Sequence, residues 1–502
     1  MTWAPRGVNA RVNSSWISRV GVILRWQTVP FLQECSAHET PCPSRLYRRI
    51  DYVCRSHRRT LMLNRTFARA ALWISIYLLL VVAPLLVLLT GQVPAGAGFW
   101  WDFSMALGFA GMAMLGVQFA LTARFRRAAA PFGIDIIYYF HRYAALVALG
   151  LVLAHFLIIR VDNVAALGAL DPRHAPWYMT AGRLALTLFL LVVVTSLWRK
   201  PLRIDYERWR LWHALLATTA FLAAVGHIEG VGYYINAPWK RVLWTGFTLS
   251  WVGLIVYVRL VKPWRMLRHP WQVTEVRPER GNAWTLALAP VGHAGLRFAS
   301  GQFAWLTLGD SPFHLREHPF SFSSDADSGR VEFTIKALGD FTATIKDVQP
   351  GTFAYLDGPY GVFSTDRHPA APGFVFIAGG VGIAPIMSML RTAAARAERR
   401  PVVLIYANDR WDEVIFREEL DALRGRLGLK LVHVLADPPP DWKGERGWVD
   451  TALLERHLPG ADRCNLTYFL CGPKPMTDAA QHGLRTLGVP LARIHFELFD
   501  MV

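Results

Sequence analysis

Six long apolar runs occupy the first half of the chain and give the first expectation about its architecture. Each run is close to the roughly 20 residues that an α-helix needs to cross the hydrocarbon core of a bilayer. The runs lie at about 70–90, 100–122, 138–159, 179–198, 208–228 and 241–261. The pattern predicts six membrane-spanning helices and therefore an integral membrane protein.

The hydrophobic pattern changes after Pro263. Residues 270–365 alternate apolar and polar positions in short runs broken by Gly, Pro and Asp, which predicts a small antiparallel β-barrel. Residues 372–502 alternate strand-like and helix-like segments, which is typical of a doubly wound parallel sheet. We divide the chain into a basic lead (1–61), a six-span membrane domain (62–264), a barrel domain (265–368) and an α/β domain (369–502). The lead is either disordered or precedes a true start at Met62.

Composition and charge agree with a membrane protein. Hydrophobic residues make up 53% of the chain and charged residues 18%, against about 25% charged in ordinary soluble domains. The net charge of +17 is not a nucleic-acid signature, because residues 1–69 alone hold twelve arginines against three acids. Further cationic residues cluster in alternate loops, which places both termini and the last two domains in the cytosol, at the cytoplasmic (plasma) membrane. Five scattered cysteines indicate a reducing compartment rather than a disulfide framework.

Four histidines lie inside the predicted spans. His141 and His155 are on the third span and His213 and His227 on the fifth, and each pair is 14 residues apart. Fourteen helical residues rise roughly 21 Å and return to within about 40° of the starting face. Each helix therefore presents two imidazoles on one stripe, one near each membrane surface.

These two matched pairs favour two stacked bis-histidine sites. A single buried histidine is usually a hydrogen-bonded core residue, but ionisable groups inside membranes are costly and usually functional. A zinc site would need its ligands close together. We therefore expect two b-type haems between the third and fifth spans, an inner one on His141 and His213 and an outer one on His155 and His227.

Three segments in the barrel region have the residue types that a flavin site needs. Ser321 offers a donor for the ring, Lys336 with Gly339 offers a cation and a backbone turn for the diphosphate, and Gly358-Pro359-Tyr360-Gly361 offers a turn that lets the backbone approach. Each segment alone is weak, but the ordered set is specific.

Two turns in the α/β region are suited to a nicotinamide nucleotide. Residues 379–385 (GGVGIAP) join a strand to a helix, where glycines and a helix N-terminus favour a diphosphate. Cys471 follows the last predicted strand, 467–470, and is either a residue lining the nicotinamide site or a small buried hydrophobe. Asp409 and Arg410 follow another strand. The acid favours a ribose hydroxyl and the arginine a 2′-phosphate, and we favour NADPH over NADH because of Arg410.

The paired histidines, together with HPFSFS, TIKALGDFT, GPYG, GGVGIAP, CGP and the terminal HFELF, resemble the ferric reductase and NADPH oxidase superfamily over about residues 70–502. The resemblance implies a ferredoxin-reductase-like FAD domain in the barrel and an NAD(P)-binding α/β domain. It implies that the residues in contact with FAD are His318, Pro319, Phe320, Ser321, Lys336, Gly339 and Thr342. Those in contact with the nicotinamide nucleotide would be Gly379, Gly380, Gly382, Pro385, Cys471, Gly472 and Pro473. Phe499 would stack on the isoalloxazine ring, although three residues follow it and it could be a core residue at a strand end.

The resemblance implies an NAD(P)H-dependent transmembrane flavocytochrome b. Electrons would pass from cytosolic NAD(P)H through FAD and two haems to a small-molecule acceptor outside the cytosol. We favour dioxygen, giving superoxide, with a ferric chelate as the alternative. A haem- or nucleotide-binding sensor or transporter without catalysis is a remote alternative. Membrane lipid is the other expected partner, and nucleic acid is not expected.

Overall fold

The computed structural model describes residues 68, 70–88, 90, 98–125, 133–314, 316–460 and 462–497. The basic lead, its boundary near Met62 and Phe499 lie outside these residues.

Six apolar helices long enough to cross a membrane occur in the described residues, as the sequence predicts. They are α1 (Ala70–Leu88), α2 (Phe99–Thr122), α3 (Ile134–Asp162), α4 (Trp177–Leu197), α5 (Tyr206–Val231) and α6 (Pro238–Leu267). Two features mark the helix ends: Pro238 occupies the first turn of α6, where its missing N–H costs nothing, and Gly232 ends α5 in a left-handed conformation.

Helix α6 is longer than its apolar run. It continues to Leu267 because a π-helical turn at Tyr257–Val261 precedes Pro263. In this turn the backbone N–H of Lys262 bonds to the carbonyl of Tyr257, five residues back, so the helix accommodates a proline in its interior.

Close packing between the membrane helices depends on small residues. A Cβ on Gly111 of α2 would lie 2.6 Å from Val152 of α3, and one on Gly116 would lie 2.5 Å from Trp251 of α6. Lipid provides no hydrophobic driving force between helices, so such close backbone approach supplies much of the packing energy. Helix α2 packs mainly against α3, and α4 against α5.

The barrel follows α6 directly. Its strands are β1 (Trp271–Glu279), β2 (Ala283–Pro290), β3 (Phe303–Leu308), β4 (His318–Ser321), β5 (Val331–Lys336) and β6 (Phe353–Tyr360). They pair antiparallel in the order β4-β3-β6-β1-β2-β5. A bridge between Phe322 and Phe333 joins the two edges, so the sheet curls around an apolar core as predicted. The short helix α7 (Asp340–Ala343) follows β5.

The last domain is the predicted doubly wound sheet. Its strands are β7 (Phe374–Gly379), β8 (Val402–Asn408), β9 (Lys430–Leu435), β10 (Glu445–Arg446), β11 (Thr467–Cys471) and β12 (Ile494–Glu497). They are parallel and ordered β10-β9-β8-β7-β11-β12, with helices α8 (Ile383–Ala395), α9 (Arg417–Leu427), α10 (Thr451–His457) and α11 (Lys474–Thr486). The strand order reverses direction between β7 and β11, and ligands of such sheets bind at this switch point.

Helix α9 begins three residues later than the pattern near 414–426 predicts. Phe416 has φ +58°, a left-handed conformation that a right-handed helix cannot contain, so the helix starts at Arg417.

Candidate functional site

The inner pair, His141 and His213, lies where α3 and α5 face each other on the side of the membrane domain nearer the barrel. Their ring centroids are 6.3 Å apart with an interplanar angle of 68°. Two imidazoles that share one metal ion have centroids roughly 6 Å apart, because each metal–nitrogen bond is about 2 Å long and each centroid lies about 1 Å behind its nitrogen. Ser196 Oγ lies 3.1 Å from His213 Nδ1. The inner pair thus has the spacing of a bis-histidine iron site.

The outer pair, His155 and His227, is oriented by backbone carbonyls. His155 Nδ1 lies 2.9 Å from the carbonyl of Ser104 on α2, and His227 Nδ1 lies 2.9 Å from the carbonyl of Tyr178 on α4. An imidazole that donates its Nδ1–H in this way keeps Nε2 free to accept, which is the usual arrangement around metal-bound histidines.

Two glycines make room for the outer imidazoles. A Cβ on Gly108 of α2 would lie 3.2 Å from the His155 ring, and a Cβ on Gly182 of α4 would lie 2.7 Å from His227 Nδ1. The sequence alone does not reveal Ser104, Gly108 or Gly182 as part of this site, because no spacing along one helix shows which residues of a neighbouring helix face a histidine.

A cavity of about 590 Å³ opens beside the inner pair, within the usual size range of cofactor sites. Phe189 and Phe221 line it from the apolar side, and the buried amide of Gln118 has no hydrogen-bond partner among the described residues. Basic residues outnumber acids at the mouth of the cavity on the barrel side, where Glu317 and Asp357 lie among Arg124, Arg142, Arg199, Lys200, Arg210, Arg259 and Lys262. An apolar cleft with a cationic mouth suits a flat, apolar group that carries carboxylates, as a b-type haem does.

The residues expected to contact FAD gather on β4 and on the turn after β5. His318 on β4 stacks on Phe341 of α7, with ring centroids 3.9 Å apart, and Ser321 at the end of β4 is buried. Thr342 closes the turn at Gly339, because its hydroxyl accepts the backbone N–H of Gly339 at 2.9 Å. Pro319 and Phe320 lie on β4 between His318 and Ser321, and Lys336 is the last residue of β5.

The His318 imidazole is neutral at physiological pH. Burial, together with repulsion from Arg210 and Arg316, lowers its pKa to about 4. Its 3.5 Å contact with Glu207 is therefore not an ion pair at neutral pH, and the uncharged ring is free to stack.

The two nucleotide turns meet at the switch point of the α/β sheet. A Cβ on Gly382 would lie 2.2 Å from the carbonyl oxygen of Cys471, and one on Gly379 would lie 2.7 Å from Met476. Gly380 has φ +52°, and a Cβ on Gly472 would lie 2.9 Å from the backbone nitrogen of Gly379. The turns fit together because their facing positions have no side chains. Pro385 is buried in the first turn of α8, and Pro473 directly precedes α11.

Cys471 is fully buried, and burial raises the pKa of its thiol well above the ordinary value. Glu497 lies opposite Cys471 in the register of β11 and β12. Glu497 belongs to the terminal HFELF segment, but the sequence alone gives it no role, because its position opposite Cys471 depends on the pairing of β12 with β11.

Arg410 lies at the carboxyl end of the sheet, just after β8, and is half exposed. Its guanidinium lies 3.1 Å from Asp412 and 3.5 Å from Glu413, and Lys336 also lies 3.5 Å from Glu413. A phosphate at Arg410 would therefore share the guanidinium with these two carboxylates.

Comparison with known proteins agrees with this architecture. Residues 107–224 match the family described as ferric reductase like transmembrane component, and residues 376–482 match the oxidoreductase NAD-binding domain. The chain is 33% identical over 238 residues to the reductase component of propane 2-monooxygenase from Rhodococcus jostii, covering 45% of this chain and 62% of the relative. It is 30% identical over 193 residues to NADH-cytochrome b5 reductase 1 from Aspergillus terreus, covering 36% of this chain and 63% of the relative. The chain thus spans a little under two thirds of the length of each.

Two solved structures are similar to parts of the chain. The flavohaem-like FAD/NAD-binding domain of nitric oxide dioxygenase from Vibrio cholerae is 24% identical with a TM-score of 0.41, over 46% of this chain and 98% of that one. Flavohemoglobin from Malassezia yamatoensis is 16% identical with a TM-score of 0.43, over 81% of this chain and 100% of that one.

The chain thus combines a ferric-reductase-like transmembrane domain with an oxidoreductase NAD-binding domain, as its resemblance to the ferric reductase and NADPH oxidase superfamily predicts. The six apolar helices and the match at 107–224 mark it as an integral membrane protein.

Proposed function

We propose that this chain, which joins a ferric-reductase-like membrane domain to an oxidoreductase NAD-binding domain, moves electrons across the membrane from a nicotinamide nucleotide to an acceptor on the opposite side. The observation that carries the proposal is the arrangement of four imidazoles as two pairs on α3 and α5. FAD in the barrel would accept hydride and release single electrons, and two b-type haems would carry these across the membrane.

Two sites in the membrane domain would each hold one of the two haems. His141 and His213 would hold the inner iron, and Arg142, Arg199 and Lys200 of the cavity lining would neutralise the carboxylates of that haem. His155 and His227 would hold the outer iron, and the carbonyls of Ser104 and Tyr178 keep their rings in one orientation.

The barrel and α/β domains would position the two-electron donor. The neutral ring of His318 and the buried Ser321 belong to the flavin side, and the turns at Gly379–Gly382 and Cys471–Pro473 would receive the nucleotide diphosphate and the nicotinamide. The neutral thiol of Cys471 presents no negative charge that would attract the positively charged oxidised nicotinamide. We propose NADPH as the donor through Arg410. Both termini and these domains would face the cytosol at the cytoplasmic membrane, as the distribution of basic loops indicates.

Dioxygen, reduced to superoxide, is the acceptor that we propose. Because two histidines would hold each iron, the acceptor would take its electron without binding to the metal. A ferric chelate meets the same requirement, and the ferric-reductase match at 107–224 favours this second candidate.

Spectroscopy of the purified full chain tests the proposal. We expect low-spin haem that NADPH reduces under anaerobic conditions, and we expect His155→Ala and His227→Ala each to lose the outer haem and the transmembrane electron current. Absence of haem after expression with haem supplied, or an unchanged haem content and current in both variants, would contradict the proposal. Parallel assays of superoxide release and ferric-chelate reduction, with and without superoxide dismutase, separate the two acceptors.

A further inference from the structure

A buried ion network joins the membrane domain to the barrel. Arg124, just after α2, places Nη2 2.6 Å from Glu317 Oε1 and Nη1 2.8 Å from Glu317 Oε2, so it grips the carboxylate with both nitrogens. The same Nη1 lies 3.2 Å from Asp357 on β6. The side chains of Arg124, Glu317 and Asp357 are only 11%, 19% and 6% exposed.

Two more membrane-helix cations complete the network. Arg210 of α5 pairs with Glu317, and Lys262 near the end of α6 lies 2.6 Å from Asp357. Two carboxylates of the barrel are therefore held by cations from three different membrane segments. Exposed ion pairs contribute little, but removing one member of a buried, desolvated network leaves the remaining charges uncompensated.

Arg124 also covers an aromatic ring that faces both functional sites. Its guanidinium carbon lies 3.8 Å from the ring centre of Trp305, which is 1% exposed. Trp305 on β3 is the register partner of Pro319 on β4, in the segment expected to contact FAD, and it lines the cavity of the inner histidine pair. Trp305 thus borders both the strand expected to bind flavin and the cavity of the inner pair, and Arg124 covers its ring.

The backbone of Arg124 has φ +57°, in the left-handed region that favours Gly or Asn. A strained conformation at a bulky residue persists where the surroundings hold it in place. The carboxylate grip and the ring contact supply that hold, and the neighbouring phenol of Tyr138 accepts from Arg124 Nε at 3.1 Å.

We propose that Arg124 is a positioning residue for electron transfer: it holds the barrel against the membrane domain so that β4 and Trp305 stay at a fixed distance from the inner histidine pair. This inference rests on the proposed function. It assigns the arginine no contact with cofactor or substrate.

The test compares Arg124→Ala and Arg124→Lys with wild type, using the full chain in lipid nanodiscs. The matched control is Arg208→Ala, because Arg208 is exposed and pairs with its neighbour Asp205. Three quantities are measured: the rate of ferricyanide reduction by NADPH, the rate of haem reduction by NADPH, and the haem content after reduction with dithionite. The first of these needs only the flavin.

We expect Arg124→Ala to keep haem content and to keep ferricyanide reduction within about twofold, while haem reduction slows by about tenfold or more. Arg124→Lys keeps the positive charge but cannot make the bidentate contact with Glu317, so it should give an intermediate rate of haem reduction. Arg208→Ala should match wild type. A wild-type rate of haem reduction in Arg124→Ala overturns the proposal. So does a result in which Arg124→Ala slows haem reduction and ferricyanide reduction by the same factor.

Hydrogen exchange provides a readout that needs no haem. Loss of docking in Arg124→Ala should raise exchange in residues 303–321 and 133–145, and Arg208→Ala should leave it unchanged. Unchanged exchange in Arg124→Ala overturns the inference. A wild-type protein that binds no haem would contradict the proposed function, while the exchange experiment would still decide the role of Arg124.

Discussion

Replacing Gly182 by alanine should displace the imidazole of His227 and so remove the proposed outer haem site without changing either histidine. The new Cβ would lie 2.7 Å from His227 Nδ1 and 2.9 Å from its Cγ. Ordinary contact begins near 3.4 Å, so the ring must move by about 0.7 Å (3.4 − 2.7). That movement strains the 2.9 Å hydrogen bond from Nδ1 to the carbonyl of Tyr178.

The size of the effect follows from these two terms. Overpacking a filled site costs about 1–3 kcal/mol, and losing one hydrogen bond costs about 1 kcal/mol. A total of about 2–4 kcal/mol weakens haem binding roughly 30- to 700-fold, since 1.4 kcal/mol is a factor of ten. Gly108→Ala should act in the same direction but more weakly, because its Cβ would lie 3.2 Å from the His155 ring.

The haem-to-protein ratio, measured by absorbance after reduction with dithionite, checks this prediction. We expect Gly182→Ala to hold about half the haem of wild type. Gly150→Ala on α3 is the matched control, because nothing lies within 4 Å of its new Cβ. Full haem content and an unchanged outer-haem potential in Gly182→Ala would refute the placement of His227 against α4.

Three further predictions concern the barrel and α/β domains. Iodoacetamide at pH 8 should modify the exposed Cys464 and spare the buried Cys471, whose raised pKa keeps it a thiol, and rapid labelling of Cys471 in mass spectra would show that its pocket is open. His318 on β4 and His368, whose ring packs on Phe469 of β11, have a pKa of about 4 in the fold against 6.5 when unfolded. The unfolded chain therefore binds more protons between these values, and stability should fall as pH drops from 6.5 to 4; a melting temperature that is constant over this range would contradict their burial. Arg410→Ala should raise KM for NADPH more than KM for NADH, and an equal change in both would exclude Arg410 from 2′-phosphate recognition.

Local sequence pattern was sufficient for the architecture. Apolar runs of bilayer length form helices α1–α6, because a helix makes all of its backbone hydrogen bonds within its own segment. Sufficient length and hydropathy are then enough for it to cross the lipid. The 14-residue interval between His141 and His155 is likewise a property of one helix. The glycine turns after β7 and β11 also follow from local sequence, because backbone conformation there depends on the residue itself, and their binding of a nucleotide stays a prediction.

The tertiary structure decided what depends on residues far apart in the chain. Gly182 and Tyr178 belong to the outer site only because α4 packs against α5, and Glu497 reaches Cys471 only through strand pairing. In the sequence, nothing distinguishes Arg124 from the other basic residues of the loops near the membrane. Its partners, Glu317 and Asp357, lie 193 and 233 residues away, and folding brings these charges together out of water. A hydrophobic period is set by residues within a few helical turns of one another. A buried charge network forms only when folding brings together residues that are far apart in the sequence.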